Sequence, residues 1–179
     1  MQAIPSLPRL ANNLVILSQL QEDHFEALYA VACDPAIWEQ HPNPDRYKRE
    51  VFSIYFEGAM ASRGAVLIQD AVSNQVIGSS RFYDVDPDQR VLKIGYTFFA
   101  VNCWGKGYNR AVKDLMIQHA LRYVDTIEFH VGAQNFRSRR AMEKLGAIDQ
   151  GELEVAYYGE APKRNVVYTI TRSQWIPST

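Results

Sequence analysis

The stretch VLKIGYTFFA (91–100), VNCWGKGYN (101–109) and RAVKDLMIQHALRY (110–123) decides the fold. Its first run is β-branched, aromatic and apolar and breaks at Asn102, the signature of a buried strand. After Lys106 the residues Tyr108, Ala111, Val112, Leu115, Met116 and Ala120 recur at helical spacing. That pattern predicts a helix with Arg110, Lys113, Asp114, Gln118 and Arg122 mostly facing water. Between strand and helix lies Gly105-Lys106-Gly107. A helix start offers unpaired N–H groups and the positive end of the helix dipole, a natural seat for a phosphate. Glycine there lets an anion approach the amides. The plainer reading of the same residues is a tight turn and nothing more.

Composition narrows the classes. The chain has 179 residues, 47% apolar and 22% charged, which fits a single α/β domain over 1–179. A net charge of −1 supplies no field for nucleic acid or an anionic membrane. Cys33 and Cys103 match no zinc or redox spacing and read as free thiols in a reducing compartment. No apolar run approaches the ~18 residues of a membrane span, and no signal peptide is apparent. The expectation is a cytoplasmic protein without metal, a monomer or homodimer, with no nucleic-acid or membrane partner.

Outward from the central stretch, residues 1–12 read as a loose lead-in and 13–17 as a first strand. A helix carrying Phe25, Leu28, Tyr29 and Ala32 follows and ends at Asp34-Pro35. Residues 37–44 are too proline-rich for regular structure. A second helix is expected over 45–61, with Val51, Ile54, Tyr55 and Met60 inward. Strands at 65–70 and 76–83 flank Ser73-Asn74, and residues 84–89 form an acidic turn. Its Asp84, Asp86, Asp88 spacing resembles a calcium loop. Gln89 and Gly95 stand where that loop needs Gly and Glu, so a solvated hairpin is the better reading. Beyond the central helix come a strand at 126–131 and a short helix capped by Asn135 and closed by Gly146. Strands at 152–158 and 166–171 complete the order. Strand–helix–strand over 91–131 implies a parallel pair.

Several separated motifs then carry a family resemblance. Ile94-Gly95-Tyr96, Trp104-Gly105-Lys106-Gly107-Tyr108-Asn109, Asn135 with Ser138, and the run 142–147 (MEKLGA) resemble the GNAT superfamily of N-acetyltransferases. Gly78, Arg81, Phe82, the run 166–170 and Trp175 fit its Rim-type (RimJ/RimL-like) branch, which includes enzymes acetylating ribosomal-protein N-termini. The resemblance implies a mixed, twisted sheet of about seven strands with helices on both faces. It also implies that the strands at 91–99 and 126–132 splay apart to admit acetyl-CoA. On that pattern the pantetheine arm pairs with backbone at Thr97, Phe98 and Phe99. The pyrophosphate lies on the amides of Trp104, Gly105, Lys106, Gly107, Tyr108 and Asn109. Asn135 touches the acetyl or pantetheine end, Ser138 lies near the sulfur, and Arg137 (with Arg140 and Lys144) balances phosphate charge.

The implied chemistry is attack of a neutral amine on the thioester, the acceptor being a protein N-terminus or a small-molecule amine. It needs a deprotonated amine, an oxyanion donor and a proton for the thiolate; Ser138 is a candidate for the last. Lys93 departs from the pattern, since the branch commonly has Glu there. A cation at 93 disfavours a charged amine, unless the acceptor is an α-amine, of which on the order of 10% is neutral at pH 7. Glu39, His41, Glu128, His130 and Tyr157 are candidate bases, and Glu128 and His130 share one face of their strand. Trp38 and His41 fall where this family builds its acceptor wall. Arg110 has no counterpart in the pattern. The rival reading is an acyl-CoA or small-ligand binding module without chemistry. A nucleotide phosphate loop is a weak third reading, since the turn has no Gly-x4-Gly-Lys-Ser/Thr and Arg110 occupies the last glycine of a Gly-x-Gly-x-x-Gly fingerprint.

Overall fold

The computed structural model describes residues 7–157 and 159–177. Its strands are β1 (Leu10–Ala11), β2 (Val15–Gln19), β3 (Ala65–Asp70), β4 (Val76–Asp86), β5 (Val91–Phe99), β6 (Thr126–Gly132), β7 (Ile148–Val155) and β8 (Lys163–Thr171). The helices are α1 (Phe25–Ala32), α2 (Arg49–Ser62), α3 (Tyr108–Ala120) and α4 (Phe136–Leu145). The strands form one sheet in the order β1-β2-β3-β4-β5-β6-β8-β7. Eight strands replace the expected seven because Leu10 and Ala11, within the supposed lead-in, pair with Leu17 and Ile16.

Strand parity sends the core to both faces of the sheet. Val66 and Ile68 pack with α3 and α4 residues such as Val112, Met116 and Met142. Their neighbours Ala65 and Leu67 pack with Leu28, Phe52 and Phe56 from α1 and α2. Helices therefore cover both sides, as the resemblance implies.

Four local readings need correction. Residues 44–47 form a short 3-10 turn, its start capped by the Asn43 side chain, so α2 begins only at Arg49. The buried stripe of α2 is Phe52, Tyr55, Phe56 and Ala59, while Ile54 is 41% exposed. Positions 52, 55, 56 and 59 follow the i, i+3, i+4, i+7 rule, and position 54 falls off that arc. In α3, Lys113 and Asp114 are buried, not solvated. The strand expected over 152–158 runs from Ile148 to Val155, and Tyr158 lies outside the described residues. The acidic hairpin is as expected: the Asp86 carboxylate accepts from the N–H groups of Asp88 and Gln89.

The feature that positions the site is the short contact between β5 and β6. They pair in parallel at only three positions, Val91–Thr126, Leu92–Ile127 and Lys93–Glu128. Beyond Lys93 the strands part. On the other side of β5, its register with β4 slips by one residue between Arg81–Gly95 and Ser79–Phe98. The slip leaves Tyr96 in the left-handed region (φ 53), the mark of a β-bulge that re-aims the strand as it diverges.

Candidate active site

The gap between the parting strands is a cleft of about 760 Å³. One wall is β5 from Ile94 to Phe99, the other β6 from Phe129 to Gly132, and α3 and α4 close it. Trp38 and His41 face it from the segment before α2.

At one end lies the glycine turn. Gly105 (φ 71) and Gly107 (φ 86) both hold left-handed backbone, which L side chains rarely adopt. A Cβ on Gly105 would meet nothing within 4 Å, and one on Gly107 only Leu14 Cδ1 at 3.7 Å. The turn is therefore an open cradle at the start of α3, suited to an anion. Trp104 donates its indole N–H to Phe99 O (3.2 Å), and Arg137 stacks on its ring at 3.8 Å. The Arg137 guanidinium also donates to Ile37 O (2.9 Å), so α4 is latched to the segment before α2 across the cleft mouth. Arg140 and Lys144 line the same region. These features fit a long, doubly charged pyrophosphate ligand.

Asn135 caps α4 as expected, its Oδ1 accepting from Ser138 N–H at 3.1 Å. That leaves the Asn135 NH₂ as the part able to meet a ligand. Ser138, one turn on, is half-buried on the cleft wall. The expected cofactor contacts at Thr97, Phe98, Phe99 and the glycine turn, and the expected acceptor contacts at Trp38 and His41, all line this cleft. Lys106 alone does not. Trp38 is 1% exposed and spends its indole N–H on Ala32 O (2.7 Å), so it is first a core residue. His41 is held well below the usual imidazole range by burial, then by Arg46 and Arg137.

Lys93 lies elsewhere. It borders a second cleft of about 570 Å³ with Arg81, Tyr83, Asp84 and Leu153–Tyr157. Its ammonium is 3.1 Å from the Asp84 carboxylate. The expected repulsion of a cationic acceptor is therefore blunted by a counter-charge that the sequence alone did not reveal. The two clefts share Tyr96, His130 and Tyr157, so they meet beside the bulge.

At that junction Glu128 and His130 touch, Nε2 to carboxylate at 3.2 Å. With Glu128 accepting from Nε2–H, Nδ1 keeps the lone pair, and Nδ1 is buried without a partner among the described residues. Burial, then Lys93, lowers the His130 pKa against the opposing pull of Glu128. The ring is thus neutral at pH 7 and can accept a proton. Tyr157 is a poorer base or acid: its hydroxyl donates to Asn165 Oδ1 (2.6 Å) and burial raises its pKa. Behind it, Arg46 is 1% exposed, paired with Glu160 (Nε to Oε1, 2.9 Å) and ringed by Trp38, Tyr55, Tyr96 and Tyr157. This packed box fixes the aromatic wall of the junction.

Sequence reasoning missed Lys113. It is 2% exposed, lines the first cleft and donates to Thr97 Oγ1 at 2.7 Å. Burial alone lowers its pKa to about 7. The signal was present: Asn109, Lys113, Met116, Ile117 and Ala120 lie on one helical arc, and three of those five are apolar. Arg110, unexplained before, bonds Asp114 (2.9 Å) and Ile176 O (3.0 Å) and stacks on Trp175, which ties α3 to the C-terminal segment. Among the described residues no cluster of His, Cys, Asp and Glu has the arrangement of metal ligands, and no helix is long and apolar enough to cross a membrane.

Residues 15–148 match the family model described as an acetyltransferase (GNAT) domain. A solved putative acetyltransferase is similar, with 27% identity over 98% of this chain and 91% of the other (TM-score 0.79). Another, from T. thermophilus, shares 27% identity over 98% and 94% (TM-score 0.77). The microcin C7 self-immunity acetyltransferase, solved with acetyl-CoA and AMP, shares the fold at 15% identity over 89% and 93% (TM-score 0.72). No curated protein matches the chain.

Proposed function

Since the chain belongs to the GNAT acetyltransferase family, whose members transfer acetyl groups from acetyl-CoA to amines, we propose a division of labour between its two clefts. The first holds acetyl-CoA and the second admits the acceptor, a primary α-amine such as a peptide N-terminus. The observation that carries this is the junction at Tyr96, His130 and Tyr157, where both clefts reach the bulge. In this reading the chain is of the Rim type, supported by Gly78, Arg81, Phe82, the run 166–170 and Trp175.

The amides of the turn from Gly105 to Asn109 hold the pyrophosphate, with Arg137 balancing its charge, while the Trp104 N–H expected to join them is spent on Val101 O (3.1 Å); the backbone of Thr97, Phe98 and Phe99 orders the pantetheine arm. The Asn135 NH₂ steadies that arm from α4, and Ser138 packs beside the sulfur. His130, oriented by Glu128, takes a proton from the attacking amine as the C–N bond forms. A backbone amide at the bulge steadies the oxyanion. An α-amine suits so mild a base. With a pKa near 8 it is on the order of 10% neutral at pH 7, against less than ~0.1% for an ordinary lysine amine.

Lys93 belongs to the acceptor wall, where Asp84 neutralises it. A panel of peptides and small amines, run with the parent and with Lys93→Glu, tests the assignment. The parent is expected to favour peptide α-amines. The variant sets two carboxylates side by side and is expected to shift preference several-fold toward doubly cationic amines, mainly through KM. A uniform rise of tenfold or more in kcat for every amine would contradict this and make residue 93 the missing base.

A further inference from the structure

Three buried cations stand around the junction, and two are accounted for. Arg46 meets Glu160. Arg81 donates to Tyr55 O (3.0 Å) and stacks on Tyr96 (3.8 Å) and Tyr55. Lys113 has no carboxylate within reach among the described residues, because its neighbour Asp114 is held by Arg110. Its Nζ touches Thr97 Oγ1 on β5 and stands 5.8 Å from the Phe129 ring on β6. The ammonium thus lies in the gap itself, bridging the two strands one residue past the bulge. Thr97 Oγ1 is in turn 2.8 Å from Ser80 Oγ, and both hydroxyls reach Gly95 O (3.4 Å), so the hydrogen-bonded groups that lead away from the ammonium are neutral.

We propose that Lys113 is a catalytic residue of acetyl transfer: its ammonium meets the cofactor's sulfur where the strands part and gives the departing thiolate its proton. This rests on the acetyl-CoA reading of the cleft. A buried cation without a counter-charge weakens the fold unless something answers it, and here the answer is the negative charge that develops on sulfur in the transition state. As the C–N bond forms, the C–S bond breaks with its electron pair moving to sulfur, and an N–H proton of Lys113 goes to that sulfur. The amine nitrogen loses one proton in the same turnover, which restores the ammonium through solvent, so the protons balance. The other groups nearby are worse donors. Ser138 carries a weakly acidic hydroxyl, Met142 has no proton to give, and Tyr157 is committed to Asn165. An ammonium that titrates near neutrality is a ready acid for a thiolate.

The test needs no acceptor. CoA is bound to the parent, to Lys113→Met and to Lys113→Arg, and the thiolate is read at about pH 6, where a lysine titrating about 7 is charged, from the rate at which iodoacetamide alkylates the bound thiol. The parent is expected to react about tenfold faster than Lys113→Met, since an opposite charge within ~4–6 Å of the sulfur favours the thiolate by one unit or more. Above about pH 8, where Lys113 is neutral, the two rates are expected to converge, whereas Lys113→Arg keeps its charge and the faster rate throughout. Lys113→Met, which removes an unpaired buried charge at near-constant volume, is expected to fold at least as stably and to bind acetyl-CoA. Equal alkylation rates at about pH 6 in the parent and the Met variant would overturn the proposal while leaving the cleft assignment intact. Failure of the parent to bind CoA would overturn both.

Discussion

Gly107→Asp is expected to weaken acetyl-CoA binding by at least about 100-fold. Two effects add. At φ 86 any L side chain is strained, costing roughly 1–2 kcal/mol, part of which is relieved by distorting the turn. A carboxylate at the N-terminus of α3 then occupies the cradle and repels a phosphate from the amides meant to receive it. Gly107→Ala separates the two, because it brings the strain and no charge. The expected order of affinity is Gly, then Ala about tenfold weaker, then Asp far below, read by calorimetric titration on variants whose melting temperatures fall by only a few degrees. Parent-like affinity in the Asp variant would remove the pyrophosphate from this turn.

His130→Gln is expected to lower kcat by ~10²–10³ with little change in the KM for acetyl-CoA, within the usual range for a lost general base. The pH profile carries the sharper signature. The active form is the neutral imidazole, and burial holds its pKa below the ordinary 6.5. Activity due to His130 is therefore complete above that ordinary value and declines as pH falls through the lowered one. The parent should show this acid limb with the peptide that the acceptor panel ranks first, and the Gln variant should lack it. Glu128→Gln, which weakens the hold on Nε2–H, should retain part of the rate and move the limb further toward acid, since Glu128 opposes the lowering. An unchanged limb in His130→Gln would assign the base elsewhere.

Much of this architecture was legible in the residues because local signals agreed with the global pattern. The run 91–123 announced strand, turn and helix, and Asn135 and Gly146 announced the ends of α4, where the structure places a side-chain cap and a left-handed closing residue. The site was less legible wherever it depends on pairing between distant strands. The Asp84 partner of Lys93 comes from β4 and requires the hairpin's register. The exposure of His130 to both clefts depends on where β5 and β6 stop pairing, which parity alone does not give. Lys113 was misread for a different reason. A lysine on an apolar arc is normally taken for a charge that reaches water, and here the splayed strands give its ammonium a polar space inside the protein.

The most direct test of the central claim is amide hydrogen exchange of the parent with and without acetyl-CoA. Backbone pairing to the pantetheine arm and amide contacts to the pyrophosphate require protection at two separate places, residues 97–99 on β5 and residues 105–109 at the start of α3. New protection concentrated in those two segments is the predicted result. Binding that protects other segments, or leaves both of these exchanging as before, would contradict the account.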